Sequence, residues 1–395
     1  MKKVVQTFTV PVSLLFLEGQ IEFWQKNGYD VHVLTAPGDE LTHLGRQNKV
    51  KTSAISLSRR KFDIRKNVQG LLQFRRYFRQ EKPLIVHGNT PKAAFLSMIA
   101  AKMENIPIRI YEMHGLPLET ARLSSKLWLF LAEKLCCWIA THVIAVSPSL
   151  RKAVIGGGLV AASKISVMHH GSCNGVDTQR KFNPSLINTQ DTTRLKKSYG
   201  ISPAQPVVGF VGRLTKDKGV IELYKAWQRV KRRFPEALLL VIGEVDERVP
   251  LSKQWLARLD ADESIIRTGH VTDMPSHYAL MDFLVLPSYR EGLGNVVLEA
   301  AAMKKPSIVS RVTGLKDTIV KNQTGIFCQV HSVEDLTDKI IYYLENKPLI
   351  EAHGNAARER VAHCFCPNDV WNEKLQLYQR LVAAHESVLL QHELS

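Results

Sequence analysis

The chain has 395 residues, 45% hydrophobic and 23% charged, which excludes a disordered or low-complexity polypeptide and leaves room for two full cores. Its net charge of +16 is uneven: residues 1–180 hold 25 Lys+Arg against 12 Asp+Glu, the remainder 28 against 25, so a basic face suited to nucleic acid, an anionic membrane surface or a phosphorylated acceptor belongs to the first half. Six cysteines with neither a paired framework nor C-x-x-C spacing exclude a disulfide scaffold and a zinc module and agree with a reducing cytoplasm, with no metal site expected.

Lys2 and Lys3 followed by apolar sequence to Leu17 imitate a signal peptide, but Gln6, Thr7, Thr9, Pro11 and Ser13 interrupt the run, which reads as a first strand and loop. No run reaches the roughly 18 apolar residues of a spanning helix, so membrane contact is expected to be peripheral. Strand and helix patterns then alternate. Strands are expected at 3–8, 30–35, 52–55, 84–87, 108–111 and 142–145. Helices are expected at 16–27, 40–48, 66–80, 91–104 and 124–140, with another capped by Ser147. This rhythm predicts a doubly wound parallel sheet.

Residues 171–205 are polar and turn-prone, with Asn174-Gly175, Asn183-Pro184 and Ser202-Pro203, and mark a domain boundary. A second alternation follows. Strands are expected at 207–211, 237–242, 265–267, 283–287, 306–309 and 325–328, and helices at 220–233, 251–259, 296–303 and 333–346. The chain thus divides into a first domain, 1–185, a second, 200–366, and a closing helix, 367–395, expected to cross back.

The chemistry is assigned to residues 288–299, a strand, a glycine loop and a helix in succession. Gly292 and Gly294 allow a sharp turn and close approach of a ligand. The first N–H groups of the helix, near Asn295, Val296 and Val297, point at an anion. Glu291 precedes the helix and Glu299 lies about one turn inside it, so a phosphate flanked by polyhydroxyl groups fits the loop. A second strand, glycine loop and helix spans 207–219, where Gly212 is followed by Arg213 and Lys218. A guanidinium fork and an ammonium beside backbone N–H groups make a clamp for a diphosphate. Taken singly they read as solvated charges, but the second phosphate-type loop favours the clamp.

Gly212, Arg213, Lys218 and Gly219, together with Glu291 and Glu299 in E-x7-E spacing, resemble the donor site of the GT-B glycosyltransferases of family 4. The resemblance implies two Rossmann-like doubly wound α/β domains facing across a cleft. It also implies a retaining, metal-independent transferase with no cofactor beyond its nucleotide-sugar donor, expected to be UDP-linked. By position Arg213 and Lys218 would hold the diphosphate, Glu299 the ribose, and Glu291 the hydroxyls of the transferred sugar, with Gly294 and Asn295 offering backbone donors. Residues 269–273 sit where the family lines the nucleobase. In the first domain His114 corresponds to a functional histidine near the reacting sugar. His87 is a weaker match, because Gly88 and Asn89 replace a more common second His. The first loop, Val10 to Gln20, lacks the family's usual Gly-Gly pair.

Residues 114–119 and 171–177 resemble a bacterial branch that extends capsule or O-antigen glycans on polyprenyl-diphosphate carriers. That branch implies transfer of an N-acetylated hexosamine or deoxyhexosamine to a lipid-diphosphate-linked sugar at the inner face of the cytoplasmic membrane. Arg59, Arg60 and Lys61, with the basic amphipathic helix 66–80, are candidates for the membrane face. The alternative for that helix is an apolar stripe packed in the core beneath solvated charges. A GT-B-shaped UDP-sugar epimerase is the enzymatic rival. A non-catalytic basic binder of nucleic acid or membrane surface is the other, although no nucleic-acid motif accompanies the charge.

Overall fold

The computed structural model describes residues 1–57, 63–121, 123–246 and 250–393. It divides into two compact units, Met1–Gly175 with Pro367–Ser395, and Val176–Cys366. The division falls inside the turn-prone stretch. The last segment of the chain belongs to the first unit.

The first unit is built on β1 (Lys2–Thr7), β2 (Tyr29–Thr35), β3 (Lys51–Ala54), β4 (Ile85–Asn89), β5 (Ile108–Met113), β6 (His142–Ala145) and β7 (Ile165–Ser166). They form one sheet, all parallel, ordered β3-β2-β1-β4-β5-β6-β7. The inner strands β2, β4 and β5 are buried almost throughout because helices cover both faces, although they carry polar residues such as His32, His87 and Glu112. The second unit holds β8 (Val207–Val211), β9 (Leu238–Ile242), β10 (Ile265–Gly269), β11 (Phe283–Leu286), β12 (Ser307–Ser310) and β13 (Gly325–Cys328). Its parallel sheet is ordered β10-β9-β8-β11-β12-β13. The strand order reverses between β1 and β4 and between β8 and β11, and crevices at such points open at the carboxyl ends of the strands.

Three differences from the sequence expectations have local causes. The helix expected at 16–27 begins only at Gln20, because Gly19 is left-handed (φ 74°) and closes a short 3-10 turn, Pro11–Leu17. The turn-prone boundary contains a helix, Thr189–Ser198, capped by the Asn188 side chain, with no buried residue to give it an apolar period. The sequence pattern predicts neither the helix Met274–Leu280 nor the helix Lys347–Cys364. Each opens on a proline at its first turn, where the missing N–H is harmless.

The final helix, Pro367–Glu393, supplies Val370, Leu377, Tyr378 and Val382 to the core beneath β1, β2, β4 and β5. Tyr378 stacks on Trp24 with centroids 4.6 Å apart. Among the described residues no helix is long and apolar enough to cross a membrane.

The basic helix, Ile64–Glu81, buries Phe74, Tyr77 and Phe78. Its Arg75 and Arg79 both bond Glu104, with Nε to carboxylate distances of 2.8 and 3.0 Å. Its aromatic stripe is therefore core. Arg59, Arg60 and Lys61 lie outside the described residues. Ile64, Val68 and Leu72 nevertheless stay exposed along the other side of the basic helix, and a second exposed apolar surface lies on the helix Leu123–Ile139. There Leu127, Trp128, Leu131 and Trp138 are exposed, Trp138 by 69%, while Cys136, Cys137 and Ile139 face inward.

Candidate active site

In the second unit, β8 and β11 are neighbours, so the loops leaving them lie side by side. Gly219 makes their approach possible. Its φ is 71°, and a Cβ there would lie 2.2 Å from the carbonyl oxygen of Pro287. Gly243, after β9, has a φ of 138°, and a Cβ there would meet the Gly212 carbonyl oxygen at 2.0 Å. The Tyr289 N–H donates to the Asp217 carbonyl (2.8 Å), and Arg290 reaches the Asp217 carboxylate (3.3 Å). Burial opposes the charge on Asp217, but the Thr215 hydroxyl (2.6 Å), Arg290 and Lys218 outweigh it and hold its pKa below the usual value.

The structure brings Lys218 and Glu291 together: the ammonium donates to Oε1 of the carboxylate, which also accepts from the Ser288 hydroxyl at 3.0 Å. Both side chains are only about 15% exposed (15% and 14%). Arg213, more open to solvent, pairs with Asp246. Gly294 is left-handed (φ 69°) and precedes the helix Asn295–Ala302, placing Asn295 and Val296 at its first turn beside Glu291 in the chain. Glu299 accepts from the hydroxyl of Tyr278 at 2.8 Å, and that hydroxyl also approaches the Val296 carbonyl (3.2 Å). Burial, reinforced by the Glu299 charge, pushes the Tyr278 hydroxyl well above its ordinary pKa, so it stays a donor. This corner offers an ammonium, a guanidinium, helix N–H groups and two hydrogen-bonded carboxylates, the donor and acceptor set for an anion flanked by hydroxyls.

The sequence reading missed Asp246 and Tyr278, and included Ser288 in the loop without a role. Asp246 was signalled by its place just beyond a predicted strand, whereas Tyr278 lies on an unanticipated helix. Within residues 269–273, Asp273 caps that helix through the N–H of Ser276 (3.2 Å). Asp260 pairs with Arg267, and Asp262 accepts from Ser264. Among the described residues no three or more His, Cys, Asp and Glu side chains gather as a metal site would require.

In the first unit His114 follows β5 and is partly exposed. Its ring stacks on Phe16 (centroids 4.9 Å apart, planes 10° apart), and its Nε2 lies 3.3 Å from Asn89 Oδ1. Dense packing around the ring lowers its pKa to about 4, although Glu112 pulls the other way. His87, by contrast, is wholly buried between Glu112 and Tyr378. Gly88 stands where a side chain would collide: a Cβ there would lie 2.9 Å from Ala94 Cα. Thr90 follows with a φ of 60°, a strained conformation for a β-branched residue, and its hydroxyl bonds Thr9 across the strand reversal (2.9 Å).

Residues 18–180 match the model described as Glycosyltransferase Family 4, and residues 191–360 the model of Glycosyl transferases group 1. A capsular polysaccharide biosynthesis glycosyltransferase, CapM of Staphylococcus aureus, is 32% identical over 98% of this chain and 99% of its own length. An Escherichia coli UDP-Gal:alpha-D-GlcNAc-diphosphoundecaprenol alpha-1,3-galactosyltransferase is 25% identical over 84% of each chain. The fold is also that of Anabaena HepE in its UDP-glucose complex, with a TM-score of 0.77 at 18% identity, covering 97% of this chain and 100% of HepE. The chain belongs to the family 4 and group 1 glycosyltransferases and has their GT-B fold.

Proposed function

We propose that the protein is a retaining, metal-independent glycosyltransferase of surface polysaccharide synthesis, moving an N-acetylated hexosamine or deoxyhexosamine from a UDP-sugar to a polyprenyl-diphosphate-linked saccharide. The observation that carries the reading is the ion pair of Lys218 and Glu291 beside the helix start at Asn295. An entering diphosphate takes Lys218 from Glu291, and the released carboxylate accepts hydrogen bonds from the sugar. Arg213, Lys218 and the helix N–H groups stabilise the charge that grows on the departing diphosphate. Glu299, held by Tyr278, takes the ribose hydroxyls. For retention, the sugar–phosphate C–O bond breaks, the acceptor oxygen bonds the same face, and the departing phosphate oxygen receives the acceptor proton. The name of the S. aureus relative supports the capsular setting. The E. coli relative's name supports a UDP donor and a polyprenyl-diphosphate acceptor.

Acting on such an acceptor, the protein would dock at the inner face of the cytoplasmic membrane through Leu127, Trp128, Leu131 and Trp138. The exposed charges described on that helix are Lys126 and Lys134, while its acid, Glu133, is buried. An apolar face edged by lysines suits an anionic bilayer. The test is thermal shift against UDP-, GDP- and dTDP-sugars, then transfer assays with a lipid-diphosphate-linked sugar. Stabilisation by UDP-sugars and loss of transfer in Arg213→Ala and Glu291→Ala are expected. Near-normal transfer in both variants would sink the assignment, and conversion of UDP-sugar without acceptor would favour an epimerase.

A further inference from the structure

Beneath His114 the first unit contains a line of buried polar side chains that the donor chemistry does not use, hydrogen-bonded from His114 to His87 and continued to Glu112 by a charge contact. Asn89, whose Oδ1 faces His114 Nε2, donates from Nδ2 to Gln6 Oε1 at 2.9 Å. Gln6 donates from Nε2 to the Tyr378 oxygen at 3.2 Å. That oxygen lies 2.5 Å from His87 Nδ1, and His87 Nε2 lies 2.9 Å from Glu112 Oε2. The Glu112 carboxylate accepts from Lys374 Nζ at 2.8 and 3.0 Å. Lys374 is 2% exposed and Glu112 1%, and every other member between them and His114 is buried.

The donor and acceptor capacity of each group gives the line a direction. A carboxylate only accepts. Burial opposes the charge of Glu112, but Lys374 and the neighbouring His87 together outweigh it and keep its pKa below the usual range; the His87 nitrogen 2.9 Å from this anion is therefore the one that carries the proton, by charge rather than by an aligned hydrogen bond. Lys374 already balances Glu112, and burial disfavours a second proton on His87. His87 Nδ1 is therefore a lone pair. Tyr378 donates its single proton there and accepts from Gln6, whose amide must present NH2 to the tyrosine and its carbonyl to Asn89. Asn89 in turn presents NH2 to Gln6 and its carbonyl to His114.

We propose that the line from Lys374 through Glu112, His87, Tyr378, Gln6 and Asn89 fixes His114 as the Nε2–H tautomer, leaving Nδ1 as the atom that accepts a hydrogen bond from a substrate hydroxyl. Lys374 and Tyr378 are positioning residues, acting on His114 through the others, while Phe16 fixes the ring plane. Which ring nitrogen carries the proton is set by the bond the other partner makes. The hydroxyl's identity rests on the proposed function, whereas the tautomer does not. A second proton on His87 would turn Tyr378, Gln6 and Asn89 round and leave the His114 proton on Nδ1. Lys374→Met, which uncovers the Glu112 charge, favours that reversal.

Two-bond proton–nitrogen correlation spectra of the full chain with 15N-labelled histidine, His114 assigned by substitution, read the tautomer without substrate. The expected wild-type form is Nε2–H. Tyr378→Phe keeps the ring but cuts the line, and Gln6→Leu cuts it at another link should the first variant not fold. Each is expected to give a mixture of tautomers and to lower kcat about 10- to 100-fold with donor KM unchanged. Lys374→Met is expected to populate Nδ1–H. An Nδ1–H wild type, or unaltered Nε2–H in every folded variant, overturns the proposal. Failure of the wild type to bind any nucleotide-sugar in thermal shift counts against the proposed function and leaves the tautomer result standing.

Discussion

Lys218 and Glu291 are paired, so a diphosphate bound as proposed would have to displace a carboxylate to reach the ammonium. Glu291→Gln removes that competition. It is expected to tighten binding of UDP alone, read by calorimetry, while lowering kcat for transfer. Lys218→Ala is expected to cost about 10²- to 10³-fold in kcat, the usual effect of deleting one donor that stabilises a developing anion. Glu133 contributes to the pH dependence of stability. Burial raises Glu133 to about 7, against the opposing bond from the Tyr111 hydroxyl at 2.7 Å. Because the folded value lies above the ordinary 4.5, the native state keeps a proton that the unfolded chain releases. Its stabilising contribution is full below about pH 4.5 and is lost as pH rises through about 7, amounting to about 3 kcal/mol. Urea midpoints of wild type and Glu133→Gln should therefore differ in their pH trend, the variant falling less between pH 5 and 8.

The basic helix and the helix Leu123–Ile139 both leave apolar residues exposed, but their other contacts differ. The helix Ile64–Glu81 carries more arginine, yet its aromatics are core and Arg75 and Arg79 are tied to Glu104. The helix Leu123–Ile139 is apolar nearly all round, the pattern of a fully buried helix, yet one side is open, with Leu131 51% exposed. Leu131→Glu with Trp138→Glu is expected to abolish sedimentation with anionic vesicles while leaving thermal stability within a few degrees. Retained sedimentation would detach the membrane reading from this face. The glycine joint between the loops after β8 and β11 gives a sharper test. Gly219→Ala sets a Cβ 2.2 Å from the Pro287 carbonyl at a φ of 71°, so one loop must move. A stability loss of about 1–3 kcal/mol and weakened UDP-sugar binding are expected, measured by denaturant unfolding and calorimetry.

Across the whole molecule, the chain leaves its first unit at Gly175 and re-enters it at Pro367. The returning helix completes the core around Trp24 and Tyr29 and buries Lys374 against Glu112. Removing residues 367–395 is expected to unfold the first unit rather than trim it, since a carboxylate and a histidine would be left buried without their partners. Loss of its cooperative transition in calorimetry would show this.

The two alternating α/β halves and the glycine loops after β8 and β11 were legible in the sequence alone, because strand and helix periods and positive-φ glycines are local properties. Short polar elements such as Thr189–Ser198 escaped it, having no buried face to print a period. Only the tertiary structure decided that Lys218 meets Glu291, 73 residues away, and that Tyr378 meets His87, 291 residues away. Those partners follow from strand order and from the return of the last helix. Both arise from packing between distant segments, which no pattern within a short window encodes.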